Sequence, residues 1–177
     1  MKVIKTKFKN LLIIQQKNNI DRRGSLRETF NDQKLKKKFV FEYCTTSKKN
    51  VLRGFHFQTE FKQSKFVNVL KGKILDVVID LRKNSKTFGK SFKIILSKKN
   101  ALGLFIPAGF GHAYYSFDKE NIIYYKLDNY YRPKYESGII YNDKTLNIKW
   151  PKKKMVISQK DKQLNTFEVF CNNLKGI

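Results

Sequence analysis

The chain has 177 residues, 41% of them hydrophobic and 14% aromatic, enough to bury one proper core without disulfide or metal staples. Its formal net charge of +24 comes from 38 basic residues against 14 acidic ones. The basic residues are 32 lysines and only six arginines, spread through nearly every segment. A dedicated nucleic-acid reader concentrates arginine, whose planar fork fits phosphates and guanine edges. The composition therefore argues against a dedicated nucleic-acid partner, while the same positive field attracts a small dianionic substrate.

Cys44 and Cys171 stand in no CxxC or CxxH spacing, which suits a reducing cytoplasm rather than redox chemistry. The apolar run at 11–14 is too short for a signal-peptide core. No stretch approaches the roughly 20 apolar residues of a membrane span. A soluble, cytoplasmic protein without a membrane partner is expected.

In chain order, residues 27–38 are expected to hold a short helix, and 39–43 the first clear β-type run. Residues 65–70, then Lys71-Gly72, then 73–81 read as a hairpin on a two-residue turn containing glycine. Further strands are expected at 92–96, 102–106, 112–116 and 122–127. A second helical signal starts at Ser158. The clusters Lys36-Lys37-Lys38 and Lys152-Lys153-Lys154 read as solvated loops. With no linker or repeat, residues 1–177 form one expected domain. Short strands at this spacing predict an all-β antiparallel sandwich or barrel with a few short helices.

The alternation carries three anomalies. Lys65 shares a strand face with Val67 and Val69, and Tyr125 shares one with Ile123 and Leu127. His56 sits between Phe55 and Phe57 and so faces away from both. An inward lysine is costly unless it is paired or lines a wet cavity. A β fold with lysine, tyrosine and histidine inside is expected to hold a pocket.

Several motifs occur together in one order: Asp21-Arg22-Arg23-Gly24 with Glu28, Val51-Leu52-Arg53-Gly54-Phe55-His56-Phe57-Gln58, Gln63-Ser64-Lys65, and Asp76-Val77-Val78-Ile79-Asp80-Leu81-Arg82. Ser85-Lys86-Thr87-Phe88-Gly89, Ile106-Pro107-Ala108-Gly109-Phe110-Gly111-His112, and Tyr125-Lys126 with Tyr130-Tyr131-Arg132-Pro133 come next. Asn142-Asp143, Trp150-Pro151 and Lys160-Asp161 complete the series. In this order and spacing the chain resembles the dTDP-4-dehydrorhamnose 3,5-epimerase family over nearly its whole length.

The resemblance implies a cupin-type jelly roll that works as a homodimer, with no metal and no cofactor, on a nucleotide-diphosphate sugar bearing a C4 ketone. Only two histidines, His56 and His112, are present and they form no HxH pair, which agrees with the absence of a metal set. A C4 ketone acidifies the hydrogens on C3 and C5, because losing either gives an enolate. By resemblance His56 is the base, a role imidazole suits near neutral pH, and Asp161 orients it. Tyr125 matches the proton donor and Lys65 the group that stabilises the enolate oxygen. Asp76 is a second carboxylate beside the pocket. Arg53 and His112 match further substrate contacts, although His112, after Gly109-Phe110-Gly111, reads equally well as a buried turn residue. Arg23, Glu28, Tyr131, Glu136 and Lys160 match nucleotide-binding positions, with Arg23 and Glu28 reaching across the dimer. The chain departs from the family pattern at Phe41-Glu42-Tyr43, where Gln-Asp-Asn is usual, at Leu26, and in a loop before Lys65 one residue shorter. Those changes leave the acid–base set intact and touch the nucleotide pocket.

Overall fold

A computed structural model describes residues 1–151 and 154–173. The strands are β1 (Lys2–Lys5), β2 (Leu12–Gln15), β3 (Asn18–Asp21), β4 (Gly24–Arg27), β5 (Phe41–Lys48), β6 (Leu52–Gln58), β7 (Lys65–Lys71), β8 (Lys73–Asp80), β9 (Ser91–Ser97), β10 (Leu102–Ile106), β11 (Phe110–Ser116), β12 (Glu120–Leu127) and β13 (Glu136–Gly138). Three short helices join them: α1 (Asp32–Leu35), α2 (Gln159–Lys162) and α3 (Phe167–Asn172). Lys152 and Lys153 of the basic run, and the end of the tail at 174–177, lie outside the described residues.

Two antiparallel sheets pack face to face, one in the order β1-β2-β10-β7-β12-β5, the other β13-β6-β11-β8-β9. This is the antiparallel all-β sandwich expected from the strand pattern, in the jelly-roll form the resemblance implies. Alternation sets the layers: along β12, Asn121, Ile123, Tyr125 and Leu127 are buried while their neighbours are less so. The space between the sheets is filled by Val67, Val69, Ile74, Val78, Leu104, Tyr114, Ile123 and Leu127 among others. Each such fully buried aliphatic contributes roughly 1.5–3 kcal/mol. A second cluster, Phe55, Phe57, Val77, Ile79, Leu81 and Phe167, covers the outer face of the β6 sheet with the C-terminal helices.

The expected hairpin at Lys71-Gly72 is not one. β7 pairs with β10 and β12, whereas β8 pairs with β11 and β9. The turn is a corner at which the chain leaves one sheet for the other. Gly72 takes φ +81, and a Cβ there would stand 2.5 Å from the Asn121 side-chain oxygen, so glycine serves a tight corner rather than a strand-pairing turn. The helix expected over 27–38 shrinks to the single turn α1, capped by Asn31 and ended by Lys36 at φ 53; Arg27 instead ends strand β4. The paired strands β3 and β4 belong to neither large sheet and carry Ile20 and Leu26 at 77% and 69% exposure.

Candidate active site

β6 supplies two residues to the interior despite their mismatched parity. Between His112 and Tyr114 of β11, β6 advances from His56 back to Arg53, one residue more than its partner. This is a β-bulge, which re-aims side chains. Gly54 at φ +111 lies within it, and a Cβ there would stand 2.4 Å from the His112 carbonyl oxygen. His56 and Arg53 therefore both face the space between the sheets, with Phe55 and Phe57 turned into the opposite cluster.

The inner chamber, about 150 Å³, is lined by Tyr43, Thr45, Arg53, His56, Lys65, His112, Tyr114 and Tyr125. It opens into a cleft of about 360 Å³ that shares Tyr43, His56 and Lys65 and adds Phe41, Gln58, Gln63, Tyr131 and Glu136 among its walls. A wider depression of about 680 Å³ lies among Lys7, Lys9, Arg82, Lys83 and Lys86. Among the described residues no carboxylate or imidazole lines it, and the buried Asp80 behind Arg82, Ser85 and Thr87 is saturated by those three side chains.

Both imidazoles in the chamber are paired with carboxylates. Asp161, at the start of α2, accepts from His56 Nε2 at 2.8 Å and from the Gly54 N–H at 3.1 Å. Burial raises this carboxyl, but the His56 hydrogen bond and charge, then Gly54 and Ser158, outweigh it and hold the carboxyl below its ordinary range. An ionised carboxylate only accepts, so Nε2 carries the hydrogen and Nδ1 keeps the lone pair. His112, placed by the sequence at either a substrate contact or a buried turn, lies within β11, buried, and donates from Nε2 to Asp76 at 2.8 Å. Two imidazole–carboxylate pairs thus belong to one site.

Lys65 opens β7 on the same face as Val67 and Val69. Burial pulls its ammonium down to about 8, against the opposing pull of Glu136 and Asp76. Tyr125 is 3% exposed; burial holds its phenol well above the ordinary value, Tyr114, Tyr43 and Asp76 act in the same direction, and a Thr45 hydrogen bond opposes them. Tyr43 stacks on Tyr125 with ring centroids 4.7 Å apart, and burial raises its own phenol to about 12. Both phenols are neutral proton carriers at physiological pH.

At the outer rim, the Tyr131 hydroxyl donates to Glu136 at 2.6 Å and Lys160 pairs with the same carboxylate. Burial raises Glu136, but those two donors bring it below its ordinary range. Arg23 and Glu28 are not in this cavity. Arg23 pairs with Asp21 on the exposed β3–β4 turn, and Glu28 faces Lys34 and the N-terminal amine. Tyr43, Thr45, Tyr114, Gln58 and Gln63 were not singled out from sequence as site residues. The signal for Tyr114 was available, since it shares strand parity with His112; Thr45 and Tyr43 alternate on β5 in the same way. Among the described residues no group of three or more His, Cys, Asp or Glu side chains converges on a metal position, and no helix is long and apolar enough to cross a membrane.

A jelly roll whose interior holds a carboxylate-bound imidazole, a half-buried lysine and a neutral phenol defines a cupin-type protein built for proton transfer by side chains. Its relatives make the class specific. Residues 5–168 match the family model for dTDP-4-dehydrorhamnose 3,5-epimerase. A dTDP-4-dehydrorhamnose 3,5-epimerase from Methanothermobacter thermautotrophicus is 40% identical over 167 residues, covering 90% of each chain. The Legionella pneumophila dTDP-6-deoxy-D-glucose-3,5-epimerase, solved in complex with dTDP-4-keto-L-rhamnose, superposes with a TM-score of 0.90 at 35% identity, covering 95% of this chain and 93% of that one. The Bacillus anthracis dTDP-4-dehydrorhamnose 3,5-epimerase, solved with TDP and pyrophosphate, gives 0.90 at 35% identity, covering 93% and 98%. The chain belongs to the dTDP-4-dehydrorhamnose 3,5-epimerase family of isomerases.

Proposed function

We propose that this chain, acting as one domain over 1–177, epimerises C3 and C5 of a dTDP-linked 4-keto-6-deoxy hexose, the conversion of dTDP-4-dehydro-6-deoxyglucose to dTDP-4-dehydrorhamnose. The observation that carries the reading is the inner chamber itself, in which His56, Lys65 and Tyr125 share about 150 Å³ of space. A hexose ring entering from the cleft meets all three.

In this reading His56 Nδ1 takes the hydrogen beside the ketone, and the electron pair moves to the keto oxygen. Lys65 holds the resulting enolate by charge, in a setting dry enough to strengthen the interaction. Asp161 keeps the imidazole oriented and favours its protonated form. Tyr125 then delivers its phenolic proton to the opposite face of the same carbon, completing the inversion. Arg53 and His112 grip the sugar and diphosphate from the β6 side. Tyr131, Glu136 and Lys160 form the nucleotide end, with Phe41 and Tyr43 supplying an aromatic wall.

The test is incubation with dTDP-4-keto-6-deoxyglucose in D₂O, read by NMR. Deuterium at both C3 and C5 is the expected result. Deuterium at one carbon reduces the activity to mono-epimerisation, and deuterium at neither removes the reading.

The same proposal includes a cytoplasmic homodimer. The β3–β4 arm, with Ile20 and Leu26 exposed and Arg23 at its tip, suits delivery of Arg23 and Glu28 to the partner's cleft, where a guanidinium binds phosphate by two parallel hydrogen bonds. Sedimentation is expected to give about twice the 21.0 kDa chain mass; a monomer at assay concentration contradicts this part.

A further inference from the structure

A small cavity lies at the root of the β3–β4 arm, away from the catalytic chamber. It holds about 200 Å³ and is lined by Asn18, Ser25, Arg27 and Thr29 on the arm side and by Leu70 and Lys98 on the barrel side. Strand register gathers the arm residues: Asn18 stands directly opposite Arg27, and Ser25 shares a face of β4 with Arg27. Leu70 is five residues along β7 from Lys65, roughly 17 Å of extended strand. Lys98, just past β9, is anchored at the corner between the sheets, where its backbone N–H donates to the Gly72 carbonyl at 3.1 Å.

The described walls carry two cations and no acid. The Arg27 guanidinium donates from Nη2 to the Val69 carbonyl at 2.8 Å, and burial pulls it below its ordinary value with no opposing charge. A guanidinium has five N–H donors, so most of its capacity is unspent. Ser25 and Thr29 add hydroxyls and Lys98 an ammonium. Asn18 Oδ1 is buried without a hydrogen-bond partner; a half turn of that amide presents two N–H donors in its place. Taking a charge partly out of water without a partner is costly, and an anion in the cavity offsets that cost. The lysine-rich depression beside Lys7 and Lys86 differs, because its guanidinium, Arg82, is already committed to Asp80.

We propose that this cavity binds a phosphate dianion, free or as the terminal group of a small phosphomonoester, between Arg27 and Lys98. Two cations match its two charges, and the guanidinium fork takes phosphate oxygens two at a time. A space of about 200 Å³ falls below the roughly 300–1,000 Å³ of sites that enclose a larger organic ligand, so a nucleoside is left outside. Because Arg27 belongs to the arm and Lys98 to the barrel, the bound anion joins the two and holds the arm at its root. The site does not depend on the epimerase reading.

Titration of isotopically labelled protein with inorganic phosphate at constant ionic strength, followed by NMR at the arginine Nε–H signals, tests the site. The Arg27 signal, assigned by its loss in Arg27→Met, is expected to shift saturably in the millimolar range. Phosphate entering the catalytic chamber moves the Arg53 signal instead, so the two sites are read apart. Lys98→Met, at an exposed position, is expected to keep the Arg27 signal and to weaken its phosphate affinity by about 10-fold, the size of one charged contact. A parallel titration with glycerol phosphate distinguishes the sources: equal shifts with both mean that the site takes a terminal phosphate group, and a shift with inorganic phosphate alone means that it takes the free ion. An Arg27 signal that drifts without saturating under both probes, or an unchanged affinity in Lys98→Met, overturns the proposal. If Arg27→Met does not fold, Arg27→Lys supplies the assignment.

Discussion

His56→Ala is expected to abolish deuterium entry at both C3 and C5, with turnover lower by roughly 10²–10⁴-fold, the contribution of a positioned general base. The side chain is held for that role by one strong contact. Asp161, ionised and nearly buried, takes Nε2–H at 2.8 Å, so only Nδ1 is available as a base. Neither the packing nor the strand is expected to suffer: His56 faces the chamber, and the aromatic cluster on the other side of β6 is made by Phe55 and Phe57. Far-UV circular dichroism should therefore stay near wild type while exchange disappears, and the melting temperature should fall, because the buried Asp161 carboxylate loses its main partner. Tyr125→Phe gives the complementary result, with exchange from the His56 face retained and inversion lost. Full turnover in His56→Ala would refute the assignment of the base.

Lys65→Met is expected to move activity and stability in opposite directions. Activity falls by roughly 10²–10³, the usual cost of removing one preorganised electrostatic contact to a developing oxyanion. Stability rises, because the native state carries an ammonium that burial disfavours. The sign comes from linkage. In the folded protein Lys65 titrates near 8, in the unfolded chain near 10.5. Between those values the unfolded chain binds more protons, so this group's contribution to stability improves as pH rises through the window and is at its worst below about 8. Discounted for the partial exposure of the side chain, the cost at neutral pH is about 1–2 kcal/mol. Its removal should raise Tm by roughly 2–6 °C for a chain of this size. The same titration predicts that wild-type kcat falls as pH climbs past about 8, when Lys65 loses its charge. Thermal melts and pH–rate profiles of the two proteins check all three statements. A destabilised, fully active Lys65→Met contradicts them.

Much of the sheet architecture was legible because strands such as β5 and β12 alternate in burial and period two is a strong signal. Residues 102–106 coincide with β10, and the inward faces of Lys65, Tyr125 and His56 follow from alternation alone. The hairpin at Lys71-Gly72 failed for a physical reason. A glycine turn between two apolar runs reports a reversal of direction, but the partners of β7 and β8 lie far along the chain, and no local pattern names them. β1 and β2 escaped notice because they are four residues long and mix lysine and glutamine with their apolar positions.

The site was legible to different depths. Alternation put polar groups inside, but Asp161 reaches His56 across 105 positions of sequence, a distance that spacing cannot bridge; the family resemblance supplied it. Arg53 and His56 face the same space only because of the bulge at Gly54, which simple parity hides. The departure at Phe41-Glu42-Tyr43 proved to be structural material of the cleft wall, with Tyr43 stacked on Tyr125. Glu42 points away, toward Tyr124 and Lys126.

In the proposed mechanism, inversion depends on one sugar carbon being approached by imidazole from below and phenol from above. A diffraction structure of the protein with a dTDP-4-keto-6-deoxy sugar bound examines that most directly. The expected density places the ring in the inner chamber, His56 Nδ1 and Tyr125 Oη on opposite faces of it, and the keto oxygen within hydrogen-bond reach of Lys65 Nζ. A ring bound with both groups on one side, or lodged outside the chamber altogether, contradicts the mechanism.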